Sequence, residues 1–207
     1  MTTALIVFAK APVAGLAKTR LIPALGPEGA ANLAERLLEH TLQQARALPV
    51  EHLELCVSPN DQHPAFGRAC DVSGDRLHLT LQGEGDLGQR MYRTLSRVLS
   101  VHRRALLIGT DAPSLDARIL AQAEQALDLA PAVFVPALDG GYALVGLTRP
   151  VPELFLDMTW STPQVMQDTR VRARKIGLPW TELPAVPDID EPADLAHLPE
   201  GWLPCNA

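Results

Sequence analysis

The sequence predicts an α/β fold in which a mostly parallel sheet carries helices on both faces and ends in antiparallel pairing. Three observations carry this. Apolar runs such as "ALIVFA" (4–9) and "ALLIGT" (105–110) are continuous rather than alternating, as in strands buried on both faces. Helix-period stretches separate these runs through residue 130, the alternation of a parallel sheet. Beyond that point "AVFVPAL" and "YALVGL" flank "DGG" (139–141), a hairpin signal that makes the sheet mixed.

The elements follow in order. Residues 27–48 read as a helix, with Pro27 near its first turn and Leu33, Leu37, Leu38, Leu42, Ala45 and Leu48 on one side. Strands are expected at "LELCVS" (53–58) and "LHLTLQ" (77–82), separated by a polar stretch, 59–76, with one weak helical turn. Helices follow at 87–100 and at 116–129, the latter with Ser114 as N-cap. Thr162 and Pro163 read as N-cap and first residue of another helix, which Gly177 closes. "WTELPAV" (180–186) is a last short strand, "DIDEPADLAHL" (188–198) begins a short helix, and 199–207 is a surface tail.

At 207 residues the chain is expected to form a single domain over 1–207, burying about 70% of its unfolded surface without a disulfide or metal staple. Aromatic content of 4% and a net charge of −6 argue against a nucleic-acid partner, which would call for stacking platforms and a basic surface. Cys56, Cys70 and Cys205 are unevenly spaced, with no C-x-x-C pair, and "ALIVF" is too short for a signal peptide or span. The expectation is a reduced, cytoplasmic protein with no membrane partner.

Five stretches carry chemistry. In "FAKAPVAGLAKTRL" (8–21), Lys10, Lys18 and Arg20 leave a buried strand around Gly15, in the kind of loop where open α/β sheets bind ligands. These cations could surround a di- or triphosphate, or form a solvated basic loop; Pro12 and Ala17 exclude a P-loop. In "LLIGTDAPSL" (106–115), Asp111 ends an apolar strand, placed either to hold a divalent cation or to cap a turn. "DIDEPADL" crowds Asp188, Asp190, Glu191 and Asp194 into seven residues; a helix N-terminus explains Glu191 and Asp194, whereas Asp188 and Asp190 suit a metal. In "LDGGYALVG" a hairpin suffices to explain Gly140, but the consecutive Gly140 and Gly141 beside Asp139 and Tyr142 could also leave room for a sugar or base against bare backbone. "QGEGDLGQRM" (82–91) is a Gly-rich loop running into a helix, where backbone N–H groups near Gly88 and the Arg90 side chain could reach a phosphate or nucleobase. No zinc spacing and no G-x-S-x-G occur.

Together, "FAKAPVAGLAKTRL … QGEGDLGQRM … IGTDAPSL … DGGYALVGL … MTWST … DIDEPADL" resembles the bacterial GT-A-type glycosyltransferase family, some of whose members are linked to arsenosugar biosynthesis. That family lies within the nucleotide-diphospho-sugar transferase superfamily, and the resemblance runs from about residue 4 to 196. It implies a Rossmann-like GT-A domain, three-layer α/β/α, that binds a nucleotide-sugar or NTP with Mg²⁺ or Mn²⁺ and a small-molecule acceptor. On that pattern Lys10, Lys18 and Arg20 lie near phosphates, Asp111 is the metal-binding aspartate, and Asp188 or Asp190 is the second acidic site. Lys18 would assist catalysis electrostatically, and Asp139 falls where an acceptor-side acid or base would stand. The usual D-x-D is reduced to Asp111-Ala112-Pro113, closer to the G-D-x-P of nucleotidyltransferases, and the first loop looks like that of phospholactate guanylyltransferase. The readings are therefore glycosyl transfer, the alternative of nucleotidyl transfer with release of pyrophosphate, and a nucleotide-binding domain without turnover.

Overall fold

The computed structural model describes residues 2–202, and of Asp75 the backbone alone. The expected Cys205 and the end of the tail, 203–207, lie outside the described residues. In chain order the elements are β1 (Thr3–Lys10), α1 (Ile22–Ala47), β2 (His52–Ser58), α2 (Pro64–Ser73), β3 (Leu77–Leu81), α3 (Leu87–Leu99), β4 (Arg104–Ile108), α4 (Ala117–Ala126), β5 (Ala132–Pro136), β6 (Tyr142–Leu147), α5 (Val165–Lys175) and β7 (Thr181–Glu182). Single 3-10 turns precede α1 and close the chain at Pro192–His197.

The seven strands form one sheet in the order β3-β2-β1-β4-β6-β5-β7. β1 runs parallel to both neighbours, with Val7 opposite Leu55 on one side and Ile108 on the other. β6 is antiparallel to β4 and to β5, so the hairpin strand is inserted into the sheet rather than added at its edge. Side chains along β1 alternate between two cores. Leu5, Val7 and Ala9 pack with Leu38 and Leu42 of α1, Phe66 of α2 and Leu120 of α4. Ala4, Ile6 and Phe8 pack with Met91 and Leu95 of α3 and Met166 of α5. These are the three layers expected of a doubly covered sheet.

Local corrections have simple causes. The polar segment 59–76 holds α2, capped by the His63 ring, which accepts from Ala65 N, and started by Pro64. Asp116 rather than Ser114 caps α4, accepting from Ile119 N at 2.8 Å, because a carboxylate one residue before the helix outcompetes a hydroxyl three before it. Thr162 donates to Thr159 O instead of capping α5, which begins at Val165. Gly26 has φ +71 and ψ 167, so the regular part of α1 starts at Pro27. β7 shrinks to two residues, although Val186 still bridges to Ala137. Residues 199–202 lie against α1: Arg36 stacks over the Trp202 ring at 4.6 Å and His40 meets its edge at 5.2 Å. Among the described residues no helix is long and apolar enough to cross a membrane, and Cys56 and Cys70 are unpaired.

Candidate functional site

A cavity of about 580 Å³ opens where β1 and β4 end and β6 begins. Its lining includes Lys10 at the end of β1, Lys18 and Arg20 from the segment that follows β1, and Asp111 from the loop after β4. Arg90 of α3, Asp139 and Tyr142 of the hairpin, Trp160, Asp188 and Asp190 complete it. Sequence positions far apart meet because the parallel strands β1 and β4 deliver their C-terminal ends to one edge, while the antiparallel β6 delivers its start.

The cations do not cluster as a group of three. Lys10 Nζ donates to Leu16 O at 2.8 Å. Lys18, in a left-handed backbone conformation (φ 46, ψ 46), lays its ammonium 2.6 Å from Asp111 Oδ1 and 3.8 Å from Asp190 Oδ1, and donates to Ile189 O at 2.6 Å. Arg20 pairs with Asp190 Oδ2 at 2.6 Å. The acidic segment is fixed by Ile189, fully buried against Leu21, Leu33 and Leu37, whose N–H donates to Asp111 O at 2.8 Å. Asp194 accepts from the N–H groups of Asp190 and Glu191, the capping role its spacing suggested.

Asp188 is half-buried. Burial, then Asp139 and Asp194, push its carboxyl up to about 6 against the pull of Lys18. Among the described residues no three acidic, His or Cys side chains form a ready ligand group; Asp111, Asp188 and Asp190, the expected metal aspartate and the two candidates for the second acidic site, all line the cavity. The Lys18 ammonium lies against two of these carboxylates, Asp111 more closely than Asp190. The donor set still fits a magnesium-like ion, which takes one or two protein carboxylates and draws its other ligands from phosphates and water. Burial is the main cause of the raised Asp188, and the Asp139 and Asp194 carboxylates add to it, so a cation placed there would offset both effects.

Arg90 Nη1 donates to Gln82 Oε1 at 2.7 Å, and buried Gln82 is itself held by Ala9 O and Cys56 O at 3.1 Å each. The sequence had pointed to Arg90 but not to Gln82. Of the candidate glycines Gly141 lines the cavity, whereas Gly15, Gly88 and Gly140 do not. A Cβ on Gly88 would lie 2.1 Å from Phe155 O and 2.4 Å from Trp160 Nε1, so Gly88 faces that packing rather than the cavity. Gly140 combines φ +93 with a close approach to Pro163 O, and its carbonyl accepts from Met166 N. Gly15 turns the first loop at φ +78 without itself lining the cavity.

On the far wall Asp139 Oδ1 accepts from Gly141 N at 2.7 Å. The Tyr142 ring packs between Phe134 and Trp160, and burial raises its phenol strongly. Trp160, Ser161 (φ 60) and Thr162 complete this wall; they sit in an irregular segment whose role has no periodic signal in sequence.

Several solved structures share the fold. A protein of Desulfovibrio desulfuricans G20, provisionally named a nucleotide-diphospho-sugar transferase, is 29% identical, with 94% of this chain and 85% of that one covered and a TM-score of 0.85. CMP:2-keto-3-deoxy-manno-octonic acid synthetase, solved with CTP, is 13% identical over 95% and 96% of the two chains, with a TM-score of 0.60. Rv0371c of Mycobacterium tuberculosis H37Rv, solved with manganese, is 17% identical over 97% and 100%, with a TM-score of 0.58. No curated protein matches the sequence. A family signature does match, over residues 41–162, more than half of the chain. The chain thus belongs to the DUF2064 family, described as an uncharacterized protein conserved in bacteria.

Proposed function

We propose that this protein is a cytoplasmic, metal-assisted transferase that moves a glycosyl group from a nucleotide-diphospho-sugar to a small acceptor hydroxyl. The observation that carries this reading is the charge layout of the cleft. Its cations, Lys10, Lys18, Arg20 and Arg90, come from the end of β1, the segment after it and α3, whereas the wall made by Asp139, Tyr142, Trp160, Ser161 and Thr162 holds an acid, aromatic rings and hydroxyls. A donor diphosphate suits the first side. A neutral hydroxyl acceptor suits the second better than a phosphorylated one, which would need a cation there. The relatives named above, a nucleotide-diphospho-sugar transferase by provisional name and a synthetase holding CTP, support a transferase acting on a nucleotide.

Asp111 and Asp190, with Asp188 beside them, would hold Mg²⁺ or Mn²⁺, which neutralises a leaving diphosphate. Lys10 and Arg90 orient the phosphates, and Lys18 adds positive charge where the leaving group gains negative charge. Asp139 takes the acceptor proton, its carboxylate fixed by the Gly141 N–H. Nucleotidyl transfer is the second reading, favoured by the lone aspartate of "TDAP" in place of D-x-D.

Thermal stability against NTPs, NDPs and NDP-sugars, with and without Mn²⁺, tests the assignment in wild type and Asp111→Asn. A ligand at about 100 times its Kd adds about 2.7 kcal/mol, a rise of about 5–10 °C for a domain of this size. A metal-dependent shift with one NDP-sugar, lost in Asp111→Asn, and release of nucleoside diphosphate in the presence of an alcohol acceptor are expected. Release of pyrophosphate from an NTP would replace glycosyl with nucleotidyl transfer. A nucleotide that binds tightly but never turns over, whatever the metal or acceptor, would leave a binding domain.

A further inference from the structure

Lys18 is more enclosed than the charges it faces, with a side chain 7% exposed against 54% for Asp111 and 37% for Asp190. Its left-handed backbone aims the ammonium at Asp111 Oδ1 and Ile189 O, with Asp190 Oδ1 slightly further away. The Ile189 N–H to Asp111 O bond fastens together the two segments that carry these carboxylates. The amine therefore sits on the same oxygens that a divalent ion would use. Two cations cannot share them closely without strong repulsion. Nor can a buried ammonium simply be released, because a charge left without a partner away from water is costly. It must be handed to another anion.

We propose that Lys18 is a tethered counter-cation for Asp111 and Asp190, so that the free protein holds a divalent ion weakly and takes it up together with a phosphate-bearing ligand that accepts the ammonium in exchange. The inference rests on the reading of the cleft as a metal- and phosphate-binding site and adds an order to its filling. Arg20 stays on Asp190 throughout, keeping that carboxylate oriented while Lys18 changes partner. Ion and ligand affinities are then coupled in both directions, as linkage requires.

The test is a Mn²⁺ titration followed by the electron paramagnetic resonance of the free ion, on wild type, Lys18→Met and Asp111→Asn, with Mn²⁺ alone and with added inorganic pyrophosphate. Melting curves taken first establish that each variant is folded, and Lys18→Gln is the replacement if Lys18→Met is not. Lys18→Met should bind Mn²⁺ alone about tenfold more tightly than wild type, within the usual range for coupled sites. Pyrophosphate should raise the Mn²⁺ affinity of wild type and raise that of Lys18→Met less. Mn²⁺ binding by wild type and Lys18→Met with equal affinity, lost in Asp111→Asn, would overturn the exchange and leave the metal site standing. Failure of all three proteins to bind Mn²⁺, with or without pyrophosphate, would overturn the metal reading and the exchange with it.

Discussion

Gly88→Ala gives the sharpest test of how the cleft is held in shape. The new Cβ would fall 2.1 Å from Phe155 O and 2.4 Å from Trp160 Nε1, where contacts under 3.0 Å do not persist. Backbone on one side and a partly buried indole on the other leave no flexible end to give way, so about 1 Å of separation must be found. Either the first turn of α3 retreats, taking Arg90 with it, or the 155–160 segment does, taking Trp160. Overpacking of this kind costs about 1–3 kcal/mol, a fall in Tm of about 2–12 °C for a domain of this size. A displacement of about 1 Å in a positioning group can lower turnover about a hundredfold. Gly67→Ala in α2, with negative φ and open space around its Cβ, is the control and should match or slightly exceed wild-type stability. The assays are thermal unfolding and donor turnover at saturating Mn²⁺. Wild-type Tm and turnover in Gly88→Ala would refute the claim that this close packing sets the cleft.

Three further outcomes follow from buried polar groups. Glu54 is fully buried, and burial opposes its charge, yet Arg97, His52 and Thr80 together hold its carboxyl below the usual range. Its stability contribution is thus present above the ordinary carboxylate pKa and lost as pH falls through the lowered folded value. Arg97→Met should cost about 3 kcal/mol by stranding that charge, and Glu54→Gln about 1 kcal/mol; urea unfolding at pH 7 that gives the reverse order would refute it. Gln82→Leu removes the acceptor that orients Arg90 and the donor to Ala9 O and Cys56 O, so nucleotide affinity should fall about tenfold, read by calorimetry. In EDTA, Asp188 contributes stability below its ordinary pKa that is lost as pH rises through about 6. Asp188→Asn should therefore melt higher than wild type at pH 8 and converge with it at pH 4, and equal melting at both would refute the crowding of the acidic segment.

The parallel core was legible because its strands are continuous apolar runs, and burial on both faces leaves little else for "ALIVFA" or "ALLIGT" to become. α2 was not, since it buries only Ala65 and Phe66 and starts from a histidine cap that is not a usual signal. The site was legible as a set of residue types and hidden as a set of pairings. Lys18, Asp111 and Asp190 announce charge by composition, but nothing in the sequence says that the ammonium turns to the carboxylates rather than to open solvent. That direction comes from a left-handed backbone at a non-glycine residue and from the burial of Ile189, both set by tertiary packing. Gly88 and Gly140 looked like ligand room because a missing side chain reads the same whether a substrate or a neighbouring backbone fills the space.

The reversed strand β6 also bears on how such a cleft can diversify. The cationic side of the cleft is built on strand ends that belong to the parallel ladder, where an inserted residue would disturb β1, β2 and β4 together. The opposite wall is made by the bend at 137–141, which opens to solvent, and by the start of α5, tied to that bend through the Met166 N–H bond to Gly140 O. Rewriting the bend alters the wall that carries Asp139 while the register of β1, β2 and β4 stays as it is. On the proposed function, the donor half of the cleft would be held as framework and the acceptor half would be the one open to change.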